Sequence, residues 1–399
     1  MQNTKSAQKS KTSFLVLGYY VLMMVILGAS DGLRGVFLPL FQDTFSLTTF
    51  QSSLIIMCSY VGNLLFLCIG GYFLDRISKK KFLLIVTLLW MSALLCYILT
   101  ANYLILLICM IFSLGASTML STSLNVITPL LFAAPAMYIN LFSFTNGIGI
   151  FSAQNIGGRV ANNMNAWHIF NLVLLAGGVI GLLLLSRLHF PQSQKTEKSS
   201  LRQTFRAYGQ TLKNPACKYL IFFCGFYCII EHGIQNWIVT YGSEYLGFTR
   251  QRASLYLSIF FGGITVGRLV FAPLVQKLGG ARSLVVFSGV GCSLYILGIL
   301  LERPGMILLM ISGLAFSILW PTTVLVIGTY YPPAQNGIAV GFITSMATFF
   351  DIAFNMSFGK LVERFGFAIS IKILPVCALL YVLTFLMMRK RTVPYQEKI

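Results

Sequence analysis

The chain has 399 residues, of which 57% are hydrophobic and only 10% charged, against roughly 25% charged in an ordinary soluble domain. So few charges cannot cover a water-facing surface, so a soluble enzyme, a nucleic-acid-binding domain and a disordered chain all fit poorly, and the mean hydropathy of +0.80 points to a polytopic membrane protein. The net charge of +19 would suggest a nucleic-acid partner in a soluble chain, but here topology accounts for it.

Residues 1–13 form a basic tail carrying Lys5, Lys9 and Lys11. The apolar stretch that follows has no small-residue cleavage site, so it reads as a retained span and not as a signal peptide. Twelve spans are expected, at approximately 14–41, 50–74, 82–100, 104–128, 137–158, 166–186, 218–246, 253–275, 283–301, 305–329, 337–359 and 367–388. Residues 82–158 contain no Asp, Glu, Lys, Arg or His. As one helix that run would be about 115 Å long, so it must fold back twice, at Ala101-Asn102-Tyr103 and between Pro129 and Pro135.

Residues 189–217 are polar and basic, unlike the rest of the interior, and read as a cytoplasmic linker between two six-helix halves, 14–188 and 218–388, with 389–399 as a second tail. If the spans alternate, 20 of the 29 Lys and Arg fall on the face of the tails and linker, 7 fall on the other, and Arg34 and Arg268 lie inside spans. That asymmetry places both termini in the cytoplasm of a multi-pass cell-membrane protein. A shift of 201 residues matches the halves without gaps through two spans and the turn between them, placing Ser53-Leu54 on Ser254-Leu255, Gly62 on Gly263 and Lys81 on Arg282, as expected of two equivalent halves. The nine cysteines are scattered through apolar stretches with no paired metal-type spacing, although Cys224 and Cys228 share a helix face.

The turn after span 2 reads Gly70-Gly71-Tyr72-Phe73-Leu74-Asp75-Arg76-Ile77-Ser78-Lys79-Lys80-Lys81. A glycine, a nearby aspartate and a basic cluster at this place resemble the signature of the major facilitator superfamily. The resemblance covers the whole chain. It implies an all-α membrane protein of twelve transmembrane helices in two six-helix halves, rocking about a central cavity built largely from spans 1, 4, 7 and 10. It assigns Asp75, Arg76 and Lys80 to a cytoplasmic gate and Arg268, in a Gly-Arg pair of span 8, to gating or packing. The second copy of the turn, from Phe271 to Arg282, lacks the glycine and the acid at the matching places, where Phe271, Ala272 and Gln276 stand, so the latch should be stronger in the first half.

A narrower resemblance is to the fucose/proton symporter family and its relatives. It is carried by Glu231-His232-Gly233-Ile234-Gln235-Asn236-Trp237 with Tyr241, by Gly263 to Arg268 (GITVGR), and by Trp320-Pro321-Thr322. That family's acid in span 1 sits four residues before a proline. Here Gly35 holds that place before Pro39, and the acid is Asp31.

Three acids, Asp31, Glu231 and Asp351, lie inside expected spans, where a carboxylate costs at least about 2.5–3.5 kcal/mol and needs a partner, a wet cavity or a proton. A half-desolvated carboxylate binds protons more readily, which is the chemistry a proton-coupled carrier needs. These three are the proton-coupling candidates. Arg34, three residues from Asp31 on the same helix face, forms an internal ion pair with it or meets an anionic solute. Asp351 with Asn355, one turn on, reads first as interhelical hydrogen bonding between the halves. Amides beside aromatics suit a hydroxylated solute, which selects Asn146, Gln154, Asn155, His232, Gln235, Asn236, Trp237 and Trp320 with Arg34 as substrate-binding candidates. The glycine clusters at 147–149 and 157–158 read as close helix contacts. His168 sits near a span end and reads as interfacial.

The expected function is secondary transport of a small polar solute such as a sugar, coupled to protons, by a monomer in the lipid bilayer. Proton-coupled efflux of drugs or amphiphiles, and carriage of an organic anion or siderophore, are the alternatives. There is no phosphate-binding loop for ATP, no nucleophile and base set and no metal-ligand cluster, so no enzyme, cofactor, metal or nucleic-acid partner is expected.

Overall fold

Apolar runs of roughly 20 residues satisfy their backbone hydrogen bonds in lipid only as helices or closed barrels, and in the computed structural model of the chain the described residues form helices joined by short turns. It describes residues 2–100, 102–132, 135–188 and 201–395. Spans 1 to 6 are α1 (Gln2–Thr44), α2 (Thr49–Arg76), α3 (Lys79–Leu99), α4 (Tyr103–Leu131), α5 (Pro135–Val160) and α6 (Met164–Arg187). A short helix, α7 (Leu201–Leu212), lies where the sequence reads as linker. Spans 7 to 9 are α8 (Ala216–Thr240), which runs on into a one-turn π-helix at Tyr241–Tyr245, α9 (Arg250–Leu278) and α10 (Gly280–Leu300). Span 10 comprises α11 (Met306–Phe316) and α12 (Leu319–Thr329), span 11 is α13 (Pro333–Ser370) and span 12 is α14 (Ile373–Arg391). Among the described residues, 11 helices are long and apolar enough to cross a membrane. The 26-residue α5 completes the twelve.

The breaks have local causes. The expected fold-back at Asn102 is a helix start, where its side chain accepts from the backbone N–H groups of Leu104 and Ile105, satisfying donors that the first turn leaves open. Span 10 is interrupted at Ser317-Ile318 because Pro321 has no N–H to give the carbonyl four residues back, and its ring crowds that turn. Helix α13 kinks at Gly366, whose φ of 73° lies in the left-handed region that a residue without a Cβ enters at least cost.

The side-chain pattern is that of a protein solvated by lipid. Ile69, Leu99, Val173 and Ile369 are exposed, whereas Gln154, Asn236, Asp351 and Asn355 are buried. Association of helices in lipid depends on close backbone approach, and glycines supply it. A Cβ on Gly28 of α1 would stand 2.1 Å from the Asn146 carbonyl oxygen of α5, and one on Gly149 2.1 Å from that of Val25. The glycine pairing seen in the sequence repeat recurs in space. Gly62 of α2 closes on Ile111 and Gly115 of α4, and Gly263 of α9 closes on Gly313 of α11.

The chain divides into two compact units, Met1–Leu40 with Cys58–Lys198, and Phe41–Met57 with Ser199–Ile399. The segment Phe41–Met57, read from sequence as part of the first half, therefore groups with the second unit. Within that unit Asp43 pairs with Arg250, Glu363 accepts the Phe50 N–H at 2.7 Å and the Lys360 ammonium lies 4.6 Å from the centre of the Phe50 ring. With Asp43 64% exposed, water screens the ion pair to about 1 kcal/mol or less. Replacing Arg250 by Ala should leave thermal unfolding of the purified protein within a degree or two of the parent.

Candidate functional site

In the first unit, Asp31 and Arg34 project from α1 at positions i and i+3, one face of a helix. Asp31 is half-buried and accepts a hydrogen bond from Ser117 of α4 at 3.1 Å. Arg34 is only 7% exposed. Its guanidinium lies 5.4 Å from the centre of the Tyr60 ring, a cation–π distance, while Nε and Nη1 are buried without a hydrogen-bond partner. Both residues line a small pocket with Ser30, Tyr97, Ser113, Trp167 and Asn171. In α5, Asn146 donates to the Met24 carbonyl at 3.1 Å and so joins α5 to α1. Gln154 is fully buried, with neither side-chain polar atom hydrogen-bonded, and Asn155 is half-buried.

In the second unit, α8 and α13 carry the polar centre. Glu231 and His232 are half-buried, and His232 Nδ1 lies 2.9 Å from both Asp351 carboxylate oxygens. Cys228, one turn before His232, has its sulfur within 4.8 Å of those same ligand-type atoms. Among the described residues this is the grouping whose donor types could hold a metal ion. Its Nδ1 is committed to the carboxylate, which suits a hydrogen-bonded polar relay. The Asn355 amide donates to the Asp351 carbonyl at 2.8 Å, and its oxygen accepts from the Trp237 indole at 2.9 Å. Asn355 thus links α13 to α8 within the second unit, and Trp237, its partner, is fully buried. Gln235 and Asn236 are also buried.

Beside this relay, Tyr227 stacks on Trp320 with ring centres 5.4 Å apart and planes at 26°. The charged groups around Tyr227 are Glu231 and Arg268, with Tyr381 beside it. The hydroxyls of Tyr227 and Tyr381 and the Nε of Arg268 are buried, with Glu231 facing the first hydroxyl and Thr323 the second. A half-buried acid, a half-buried guanidinium and two buried hydroxyls around a stacked aromatic pair can bind a small hydroxylated solute through paired donors and acceptors. The structure thus brings Arg268, expected at a gate or in packing, to Tyr227, which Glu231 and Trp320 also flank.

The cytoplasmic turn is only partly visible, since the side chain of Asp75 lies outside the described residues. Arg76 is exposed. Lys80 donates to the Ser186 and Leu188 carbonyls at 2.5 and 2.9 Å, at the C-terminal end of α6, where a cation meets open carbonyls and the negative end of the helix dipole. His168 is half-buried.

Sequence reading missed Tyr227, Cys228 and Tyr381. The first two stand one turn before Glu231 and His232, so helical spacing alone could have found them. Tyr381 is on span 12, and no spacing in the sequence leads to it.

The sequence profile of the Major Facilitator Superfamily matches residues 20–350. No curated protein matches the sequence. Among solved structures, the nucleoside transporter NupG superposes with a TM-score of 0.74 at 15% identity, over 96% of this chain and 100% of that one. The E. coli fucose:proton symporter FucP gives 0.69 at 16% identity, over 96% and 100%. The inward-open xylose transporter XylE from E. coli gives 0.76 at 14%, over 97% and 98%. At such identities the likeness is one of fold.

Proposed function

The chain belongs to the major facilitator superfamily and is a multi-pass membrane transporter, not an enzyme; from that premise we propose that it is a proton-coupled symporter that takes up a small polar solute by alternating access. One observation carries the reading: Glu231 is half-buried within the apolar span Ala216–Glu244, beside Tyr227, which Arg268 also approaches, and one residue from the His232–Asp351 pair. A carboxylate there must bind a proton or an opposite charge to be tolerated, so its charge state and the occupancy of the neighbouring donors are coupled. Asp31 in the first unit is the second candidate carrier. The likeness in fold to FucP, a fucose:proton symporter, and to a D-xylose-proton symporter favours a sugar-sized, hydroxylated solute. The sequence motifs of spans 7, 8 and 10 point the same way, toward the fucose-symporter relatives.

The test is uptake into proteoliposomes under an inward proton gradient, screened across sugars, nucleosides, organic acids and cationic amphiphiles. A symporter accumulates its solute with the gradient and loses the accumulated pool when a protonophore is added. Accumulation driven only by an outward proton gradient would replace this reading with efflux.

In the proposed topology both termini and the linker lie in the cytoplasm. A single cysteine placed at Ser199 should then react with an impermeant maleimide only from the cytoplasmic side, and one at Thr48 only from outside. Labelling of both from one side would sink the twelve-span arrangement.

A further inference from the structure

The pocket beside Arg34 and Asp31 has a chemistry that the transport reading centred on Glu231 does not use. Arg34 is nine-tenths buried and turns two nitrogens, Nε and Nη1, into surroundings where no hydrogen-bond acceptor meets them. A guanidinium so placed keeps its charge and pays the desolvation of an ion in a low-dielectric interior. The Tyr97 hydroxyl, buried beside Ser113, lines the same pocket with Asn171. Asn171 spends one amide hydrogen on the Trp167 carbonyl at 2.8 Å. The water-accessible space, about 10 Å³, admits about one water or an ion of similar size. An organic solute does not fit in it.

The lining holds one cation and one acid, Asp31. The other titratable groups facing the pair are neutral in ordinary conditions: Tyr60 of α2 beneath the guanidinium, Tyr97 of α3, and Cys109 of α4 behind Tyr97. With Asp31 ionised, the site is electrically balanced and suits a water. With Asp31 protonated, Arg34 stands uncompensated among hydrogen-bond donors, and a compact anion restores the balance.

We propose that this pocket is a site for a small monovalent anion of halide size, bound by Arg34 and admitted when Asp31 takes up a proton. Proton and anion then bind with positive coupling, each strengthening the other. The inference goes beyond the proposed symport and does not depend on Glu231 or on the identity of a transported solute.

The experiment is thermal unfolding of the full-length purified protein, titrated with sodium chloride against sodium gluconate at equal ionic strength, at pH 5.5 and pH 7.5. Sodium acetate and sodium lactate are run as further arms. Chloride should raise the Tm by a few degrees at the acid pH. Its apparent dissociation constant should weaken by up to about tenfold per pH unit over the range in which Asp31 is ionised, because one proton accompanies one anion. Stabilisation by acetate or lactate instead of chloride would identify the carboxylate of an organic acid, and not a free halide, as the source of the charge; that outcome overturns the halide site. Asp31→Asn should bind chloride equally at both pH values. Arg34→Gln should lose the chloride response; if that variant does not fold, the Asp31→Asn titration decides alone. Equal Tm values in chloride and gluconate at both pH values, a response that persists in a folded Arg34→Gln, or a pH dependence that survives in Asp31→Asn would each overturn the site.

Discussion

Replacing Glu231 by Gln is expected to abolish uphill accumulation of solute while leaving counterflow exchange largely intact. The amide keeps the shape of the carboxylate and most of its hydrogen-bonding capacity but cannot take up or release a proton, so the variant separates charge chemistry from packing. Exchange needs only a loaded carrier crossing in both directions, whereas accumulation needs the proton to travel with the solute. Each pH unit is worth about 1.4 kcal/mol. With one proton per solute, a gradient of two units therefore sustains roughly a hundredfold concentration ratio in the parent, and the variant should level off near one. Asp31→Asn gives the comparison. If Asp31 carries the proton, its variant shows the exchange-only behaviour and Glu231→Gln transports uphill like the parent, which would remove Glu231 from the coupling role. Loss of binding together with transport in Asp31→Asn would instead make the Asp31 and Arg34 pair an organiser of the site. Both measurements are made in proteoliposomes with the solute found in the uptake screen.

Much of the fold is legible because lipid imposes few solutions. Sparse charge, the uncharged stretch at residues 82–158 and the Asn102 break leave little besides hairpins of spanning helices. The repeat register also carries through, since Gly62 and Gly263 both sit at close crossings between the second and fourth spans of their units. The interruption of span 10 is different. Pro321 was in view, yet an apolar stretch on both sides of a proline reads as one span, because apolarity reports burial in lipid and not helix continuity.

The site was legible only along single helices. Asp31 with Arg34, and Glu231 with His232, are neighbours in sequence and declare themselves as charges at membrane depth. The pairing of His232 with Asp351 spans 119 residues and depends on how α8 and α13 are rotated about their axes. In a soluble protein the apolar stripe of a helix fixes that rotation. Here lipid and protein interior are equally apolar, so composition leaves it open, and small residues and polar contacts decide it. The same reason hid Tyr381 and the grouping of Arg268 with Tyr227 and Glu231. It also hid the packing of Phe41–Met57 within the second unit, because the Asp43 to Arg250 and Phe50 to Glu363 contacts join segments more than 200 residues apart.

If small residues set those rotations, one methyl group at a crossing should damage the protein more than the loss of a surface ion pair. Gly313→Ala is the sharpest case. The new Cβ would lie 2.2 Å from the Phe260 carbonyl oxygen and 2.9 Å from its carbon, both backbone atoms that no rotamer change can move aside. Helices α9 and α11 must separate, and overpacking of a close contact costs about 1–3 kcal/mol or more. Gly62→Ala meets the Ile111 carbonyl oxygen at 2.0 Å and should behave alike in the other unit. Gly263→Ala, whose nearest neighbour is the Leu314 nitrogen at 3.0 Å, should be milder. Gly289, within α10, has nothing within 4 Å of its added Cβ, so there the substitution should be neutral or slightly stabilising through helix propensity, worth up to about 1 kcal/mol. Size-exclusion profiles and Tm values of the four variants in detergent provide the check. The expected order of stability is Gly289→Ala at or above the parent, then Gly263→Ala, with Gly313→Ala and Gly62→Ala lowest. Parent-like stability of Gly313→Ala would mean that the α9 to α11 crossing is looser than drawn, and that polar contacts such as His232 with Asp351 set helix rotation in the second unit without help from glycine.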